Sequence, residues 1–544
     1  MSTPVDDYIV IGSGFGGSVS ACRLAEKGYS VRVIEQGKRK KSDDFPKSNW
    51  NVRKYLWAPI IKCFGVQKMF FFKDVLVLGG VGVGGGSLVY ANTHMTPEKE
   101  FFKNPAWSHI KDWEKELTPF YRLARFMLGT TRYQKSYAED EILRQVARDM
   151  GQEDSFRQTD VGVYFGEKGE ETDPYFGGKG PKRNACVECA GCMVGCRYNA
   201  KNTLDKNYLW FAEKNGAEIT PETKVVKIEH KDGYYHIHTE KSTAWFRKKK
   251  KVYKSKGLVV SAGVLGTLKL LMRQKLETQS MPDLSDTIAS NVRTNSETIT
   301  GAAHGEKKLN NGIAISSVFQ ADEHTHIEIC KYPNNSGALG SLAIPAVDEE
   351  KGKSRSLAML VNLFRHPSIT LRWMFNPKFS ENSLFILVMQ SLESKMKMVL
   401  KKGLFGSRLK FDNNGEDKIP AYIQVGQEVT RRIANKTNGI ALNSTLEIIT
   451  NMSTTAHILG GCPMGQNKEE GMVNDKFEVH GYPKMYVLDG SIIPCNLGVN
   501  PSLTITTLSE YAMSHIPAKK QNAEHIGYEN LKREENANKE KALV

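Results

Sequence analysis

The feature that most constrains this chain is a glycine-rich turn near its start, set between two short apolar runs. Residues 8–11 are typical of a buried strand, and the turn at 12–17 follows directly. The apolar spacing over 18–27 then predicts a helix, and residues 29–34 predict a second strand that ends at Glu35. A strand, glycine turn, helix and strand in this order predict a βαβ unit that binds a dinucleotide.

Each glycine of the turn has a physical role. Gly12 permits the tight turn, Gly14 lets a pyrophosphate approach the backbone, and Gly17 lets the helix pack on the strand. The helix N-terminus attracts the pyrophosphate, and Glu35, 18 residues after Gly17, can accept hydrogen bonds from ribose hydroxyls. The motif by itself does not distinguish FAD from NAD.

A second glycine cluster lies at 79–86, where six of the eight residues are glycine. Glycine loses much backbone entropy when it is ordered, so such a segment indicates close approach by a large flat ligand. Apolar residues at 70–72 and 88–90 flank the cluster, and they argue against a flexible linker.

Further segments carry a family resemblance. They are 83–89 with Pro97 downstream, 257–271, 291–297 and 473–505. On these segments the chain resembles the glucose–methanol–choline (GMC) oxidoreductases, and within them most closely the cholesterol oxidase branch. The resemblance extends from Gly12 to Thr506, and it implies an FAD cofactor.

The resemblance also implies which residues hold FAD. The segment 83–89 resembles the part of the family that covers the isoalloxazine ring, Asp489 would lie near the ribityl chain and pyrophosphate, and Asn500 with Pro501 near the pyrimidine end. The expected FAD-binding residues are Gly12, Gly14, Gly17, Glu35, Gly82, Gly85, Gly86, Ser87, Val226, Asp489, Gly490, Asn500 and Pro501.

Oxidation of an alcohol by a flavin needs a hydride acceptor and a group that takes the hydroxyl proton. Histidine suits the second role because its unperturbed pKa lies near neutrality. His457 lies in an apolar stretch, where a lone histidine is more often structural. It matches the family's catalytic histidine, however, and Asn500 matches the second member of that pair. Ile458 stands where the family usually has proline.

Glu328 is the third catalytic candidate. In cholesterol oxidases a glutamate is the base for the double-bond shift that follows oxidation, and the short strand pattern at 327–329 resembles the strand that carries it. The alternative is a solvated glutamate on a strand. The resemblance therefore supports oxidation, and isomerisation is an additional hypothesis.

Four of the nine cysteines lie within eleven residues, at Cys186, Cys189, Cys192 and Cys196. The spacing is that of a ferredoxin-type run without its closing proline, and it fits the paired cysteines of zinc sites poorly. Some GMC dehydrogenases resemble the chain here, with a cysteine-rich loop before 200–203. An iron–sulfur cluster, structural thiols and a zinc site all stay open.

A net charge of +15 raises the question of an anionic partner. The basic residues are spread along the chain except for the run 247–251, whose flanking apolar pairs are typical of a solvated hairpin. No nucleic-acid partner is predicted. Residues 357–364 have helical spacing, and the apolar patch 369–375 follows, flanked by basic residues. This region suggests either a helix packed on its own domain or a lid at a membrane surface.

The start of the chain lacks the features of a secretion signal, and the longest apolar run, 384–389, is too short to span a membrane. Nine cysteines in that context favour reduced thiols over a disulfide framework. We expect a cytoplasmic protein, with peripheral membrane contact as a further option.

At 544 residues the chain is expected to form two domains. We predict an α/β fold with a Rossmann-like FAD-binding domain built from discontinuous segments and a sheet-based (α+β) substrate domain. The FAD-binding domain comprises 1–97, 185–305 and 450–518, the substrate domain comprises 98–184 and 306–449, and a polar tail covers 519–544.

The leading predicted function is FAD-dependent oxidation of a 3β-hydroxysteroid or a similar small hydrophobic alcohol, with oxygen or an electron-acceptor protein as oxidant. One alternative is a GMC dehydrogenase for another alcohol or a sugar, with electrons leaving through an iron–sulfur cluster. The other, from a different class, is a flavin–iron–sulfur electron carrier without its own substrate.

Overall fold

The computed structural model describes residues 4–246, 248–304, 307–349, 354–365, 376, 378–403, 406–412, 421–520 and 525–527. Its α-helices are Phe15–Glu26, Val52–Tyr55, Lys99–Lys103, Trp113–Met127, Ala138–Asp149, Tyr208–Lys214, Val264–Leu276, Arg355–Arg365, Gln424–Thr437, Thr445–Thr450 and Ser502–Ser514. Single 3₁₀ turns are Ser42–Asp44, Pro59–Ile61, Gly85–Leu88, Glu153–Ser155, Cys192–Val194, Leu204–Lys206, Gly337–Leu342 and Gly490–Ile492.

The first of two large sheets contains the predicted dinucleotide unit. In spatial order its strands are Glu218–Thr220, Val31–Ile34, Val5–Ile11, Lys250–Val260, Tyr234–Lys241 and Thr223–Lys231, with Met485–Val487 beside Lys250–Val260. Val5–Ile11 lies parallel to both of its neighbours, and its residues from 7 to 11 are buried. A strand covered on both faces has to be apolar along its length, which is why residues 8–11 read as a continuous apolar run.

The second sheet is antiparallel throughout. Its strands, in spatial order, are Ala343–Pro345, Ile440–Ser444, Thr298–Ala303, Ser383–Gln390, Thr325–Cys330, Ser317–Gln320 and Arg157–Gln158. Thr298–Ala303 belongs to this sheet because it pairs with Ser383–Gln390, although it precedes residue 306. The division of the chain into domains stays a prediction.

Four small sheets complete the described strands. They are Ser453–Thr455 with Val75–Gly80 and Gln67–Phe71, the ribbon of Lys397–Lys401 and Arg408–Asp412, Trp57–Ala58 with Cys63–Phe64, and Thr131–Arg132 with Asp160–Val161. Strands Tyr234–Lys241 and Lys250–Val260 form the hairpin that the sequence predicts. The basic residues 248–251 lie before and at the start of its second strand. Arg247 itself lies outside the described residues.

A buried ion pair joins the two ends of the first domain. Arg23 on helix Phe15–Glu26 donates from Nε and Nη2 to the carboxylate of Glu510, both at 2.7 Å, and Tyr208 donates to the same carboxylate at 2.7 Å. Removing one partner of such a pair leaves an uncompensated buried charge. The helix that follows the glycine turn is therefore held by a residue nearly 490 positions later.

Helix Arg355–Arg365 forms where the sequence predicts helical spacing, but its apolar face is open. Leu357 is 63% exposed and Phe364 is 84% exposed, whereas Met359 packs with Ile344 and Ile448. The helix therefore packs on the described chain through the face that carries Met359 and Ser356, and it leaves the side chains of Leu357 and Phe364 exposed. Both alternatives stay predictions. The apolar patch 369–375 lies outside the described residues, and the lid hypothesis stays untested. No helix that is described here has the length and apolarity to cross a membrane.

Candidate active site

The glycine turn and the second glycine cluster meet at one place. Ser13 donates from its backbone N–H and its hydroxyl to Glu35, at 3.1 and 2.8 Å, and the N–H of Gly84 donates to the Ser13 hydroxyl at 3.1 Å. A Cβ atom at Gly85 would lie 2.6 Å from the Cα of Gly14. Only glycine permits this approach of the two backbones.

Gly12 and Gly14 differ in what surrounds them. Gly12 has a φ of +96°, and a Cβ there would lie 2.1 Å from the carbonyl oxygen of Ser261. At Gly14 an added Cβ would meet no atom of the described chain within 4 Å, although Gly14 begins helix Phe15–Glu26. The backbone at Gly14 thus borders open space beside buried Glu35, and this arrangement fits the pyrophosphate and ribose of FAD.

Three further predicted FAD residues are Val226 on a strand of the first sheet, Asp489 just after another strand of that sheet, and Pro501 before the last helix. Asp489 caps the turn Gly490–Ile492 by accepting from Ser491 N at 2.9 Å, and Thr267 Oγ1 donates to it at 2.5 Å. Burial raises the pKa of Asp489, and these hydrogen bonds oppose the rise. Val226 lies at a break in strand register in Thr223–Lys231, and Pro501 precedes helix Ser502–Ser514.

His457 forms a buried pair with a glutamate that sequence reasoning did not select. Its Nδ1 lies 2.8 Å from Oε2 of Glu297, and the Glu297 side chain is 0% exposed. Glu297 also accepts from Thr455 Oγ1 at 2.9 Å and from Ala456 N at 3.2 Å. With the proton of the neutral ring on Nδ1, Nε2 is left as the acceptor. Glu297 lies in the family-like segment 291–297, which was the available signal.

The charges around His457 set its protonation. Burial disfavours the imidazolium, but the carboxylates of Glu297 and Glu328 outweigh burial and raise the pKa of His457 above its usual value. Glu328 is thus close enough to His457 to influence its protonation.

Glu328 and Asn500 contact each other directly. Asn500 Nδ2 lies 3.4 Å from Oε2 of Glu328, whose other oxygen lies 3.2 Å from His326 Nε2. Glu328 is 0% exposed on strand Thr325–Cys330, so the alternative of a solvated glutamate is wrong. Asn500 Oδ1 finds no hydrogen-bond partner in the described chain. The structure thus gathers the three predicted residues and adds His326, two positions before Glu328.

The four cysteines of the 186–196 loop line one small cavity of about 20 Å³. A cavity of that size admits about one water molecule, which is less than an iron–sulfur cluster occupies. Within the described residues no group of three His, Cys, Asp or Glu side chains is arranged to hold a metal ion. The residues therefore do not fit a cluster or a zinc ion as arranged.

A mixed sheet whose parallel strands carry the dinucleotide turn, joined to an antiparallel sheet that supplies buried Glu328, is the arrangement of an FAD-dependent oxidoreductase acting on alcohols. Residues 181–292 and 366–509 match the two GMC oxidoreductase family descriptions, and residues 10–40 match an NAD(P)-binding Rossmann-like domain. The chain belongs to the GMC oxidoreductase family, in its cholesterol oxidase branch, and its cofactor is FAD.

The similarity to relatives covers nearly the whole chain. It is 42% identical over 527 residues to a cholesterol oxidase of Acinetobacter baumannii, covering 94% of both proteins. It is 41% identical over 533 residues to one of Mycobacterium tuberculosis, covering 95% of this chain and 92% of the relative. A long-chain-alcohol oxidase of Arabidopsis thaliana is 24% identical over 558 residues, covering 95% of this chain and 68% of the relative.

Among solved structures, pyridoxine 4-oxidase from Mesorbium loti superposes with a TM-score of 0.60 at 14% identity. The superposition covers 94% of this chain and 99% of that structure. At this identity the likeness shows the shared fold alone.

Proposed function

We propose that the protein oxidises the hydroxyl of a sterol-like alcohol to a ketone, with oxygen as the final electron acceptor. The observation that carries this proposal is the pair of His457 and buried Glu297 at 2.8 Å. Glu328 acts electrostatically on His457 and contacts Asn500. The relatives named cholesterol oxidase support the substrate class and the acceptor. A pure electron carrier needs no such proton acceptor, so the pair argues against that alternative.

We propose that the FAD lies along the glycine turn and the second glycine cluster. Gly14 and Glu35 would hold the pyrophosphate and ribose end, Gly85 with Ser87 the ring end, and Asp489 the region between. When bound, FAD supplies the acceptor for the substrate hydride.

His457 would take the hydroxyl proton at Nε2. The Glu297 carboxylate holds the ring in one orientation and tautomer, because it accepts from Nδ1 while two further donors fix the carboxylate itself. A base that is already held in one orientation loses little conformational freedom when the proton is transferred, which supports a direct role for His457.

Asn500 would orient the substrate oxygen. Its Nδ2 is a donor near Glu328 and its Oδ1 is unpartnered within the described chain, so the carboxamide can contact a polar group that enters the site. Glu328, buried beside His326, would serve as the base for a double-bond shift after oxidation. We propose this isomerisation in addition to the oxidation.

The iron–sulfur cluster stays a prediction from cysteine spacing alone. Iron and acid-labile sulfide in protein purified without oxygen would revive it, and with it the dehydrogenase alternative. The cytoplasmic location and peripheral membrane contact likewise stay predictions.

The proposed reaction predicts two coupled signals. Mixing the holoenzyme with a 3β-hydroxysteroid without oxygen should bleach the flavin absorbance in one turnover, and in air each ketone formed should yield one hydrogen peroxide. A long-chain primary alcohol is the matched comparison, because it offers a hydroxyl without the ring system. Bleaching by the long-chain alcohol alone would contradict the sterol assignment, and ketone formation without peroxide would contradict the acceptor.

Glu297→Gln should show whether Glu297 positions His457 or only stabilises the fold. Loss of the carboxylate removes a contribution that raises the pKa of His457, and activity requires the neutral base. The acid limb of the profile of kcat/KM against pH should therefore move to lower pH, while the plateau falls by about 10- to 100-fold because the ring is less well oriented. Glu428→Gln, which removes an exposed carboxylate paired with Arg432, is the control. An unshifted acid limb in Glu297→Gln would contradict the role.

A further inference from the structure

A second, larger cavity is lined by none of the predicted catalytic residues. Its volume is about 550 Å³, and its walls come from residues 39–45 and from segments between 171 and 213. Seven Lys and Arg side chains line it against four Asp and Glu side chains. Cavities of this size are typical of small-molecule sites, and the excess of positive charge favours an anionic ligand.

Most of these cations lack a carboxylate partner. Arg39 pairs with Glu213 at 2.6 Å. For the other six cations of the cavity, such as Lys41 and Arg197, the described part of the chain offers no ion pair within 4.0 Å. Cations of a solvated surface gain little from pairing, but these six outnumber the three remaining carboxylates of the lining, and a bound anion would offset the excess positive charge.

Two of the cations are placed deep in the wall. Arg183 is 0% exposed. Its guanidinium donates to Pro181 O at 2.7 Å, to Lys182 O at 3.3 Å, to Asn202 Oδ1 at 2.6 Å and to Lys206 O, while Nε finds no partner in the described chain. The ammonium of Lys206 lies 3.4 Å from Lys201 O. Burial lowers the pKa of both groups. Asp205 provides a counter-charge that opposes this lowering at both groups, and a bound anion would act in the same direction.

The cavity is distinct from the FAD site, although one turn connects them. None of the residues of the 12–17 turn or the 79–86 cluster lines it. The turn Leu204–Lys206 forms one wall, and Leu204 N donates to Ser87 Oγ of the glycine-rich region at 3.1 Å. A ligand in the cavity would therefore lie one backbone layer behind the segment expected to contact the flavin.

We propose that this cavity binds a phosphorylated small molecule, with its phosphate among the accessible cations of the lining, such as Lys41 and Arg197. Guanidinium and ammonium groups together are suited to phosphate oxygens. Trp210 lines the same cavity, and an indole face can stack on a base. The geometry therefore points to a nucleoside phosphate, recognised mainly through its phosphates.

The test is calorimetric titration of the FAD-saturated holoenzyme with pyrophosphate, ADP and adenosine. Pyrophosphate and ADP should bind while the flavin stays in place, and adenosine should bind at least about 10-fold more weakly than ADP, because it lacks the charge-assisted contacts. The charge reversals Lys41→Glu and Arg197→Glu should each weaken ADP binding by about 10-fold or more. Lys410→Glu, an exposed site outside the cavity, should leave it unchanged.

Several results would overturn the proposal. These are the absence of heat with both pyrophosphate and ADP, adenosine binding as tightly as ADP, release of FAD by ADP, or equal weakening in Lys41→Glu and Lys410→Glu. Because these variants change cavity side chains remote from His457 and Asn500, steroid oxidation should continue in all of them. A failed steroid assay in the wild-type protein would count against the proposed function and leave this site unaffected.

Discussion

His457→Gln should lower the rate of anaerobic flavin reduction by roughly 10²- to 10⁴-fold, the range expected when a positioned general base is removed. Glutamine has a similar length and can still donate a hydrogen bond, so the polar contact to Glu297 can persist. What it cannot do is accept the hydroxyl proton. The loss should therefore appear in the rate of flavin bleaching and not in the amount of FAD bound.

The control for this variant is His480→Gln. His480 lies outside the site, where its Nε2 is 3.0 Å from Gly465 O, so its replacement should leave bleaching unchanged. Stopped-flow absorbance under anaerobic conditions measures both variants. If His457→Gln bleaches at the wild-type rate, His457 is not the base, and its pairing with Glu297 is structural.

Gly14→Val should abolish stable FAD binding, with affinity lowered by at least about 100-fold, and should leave the apoprotein folded. The Cβ of the added side chain enters space where no described atom lies within 4 Å, so we expect the apoprotein to accommodate it. The same side chain occupies the place where a pyrophosphate has to approach the backbone. Flavin released by acid after reconstitution, together with thermal unfolding of the apoprotein, separates the two effects.

Gly12→Ala provides the contrast. Its Cβ would lie 2.1 Å from Ser261 O on a backbone with φ of +96°, so this smaller substitution should lower the melting temperature of the apoprotein itself. Gly14→Val protein that retains stoichiometric FAD would show that the cofactor does not approach the backbone at this turn.

The local patterns of the sequence were sufficient to predict the βαβ unit that carries the glycine turn. The turn at Gly12 and the acid at Glu35 lie within 25 residues of each other, and their roles follow from backbone geometry that neighbouring residues dictate. The spacing of 357–364 predicted a helix for the same reason. Which side chains of this helix are exposed was not predictable, because exposure depends on elements far away in sequence.

The cysteine loop shows the limit of spacing as evidence. The positions of Cys186 and its three partners fit a ferredoxin run, but the fit of a cluster depends on where the thiols point and how much room they enclose. The enclosed volume of about 20 Å³ results from how the loop packs on the rest of the domain. Side-chain direction in an irregular loop is set by that packing and not by residue count.

The sequence by itself determined the dinucleotide unit, the family and the identity of His457, Asn500 and Glu328 as candidates, because these are properties of local pattern and resemblance. Only the tertiary structure decided the partners: Glu297 is 160 residues from His457, and Glu328 is 172 residues from Asn500. It likewise brought the cations at 39–41 and 182–206 around one cavity. Such contacts depend on the register of long-range strand pairs and on close packing between segments, which no local pattern of residues encodes.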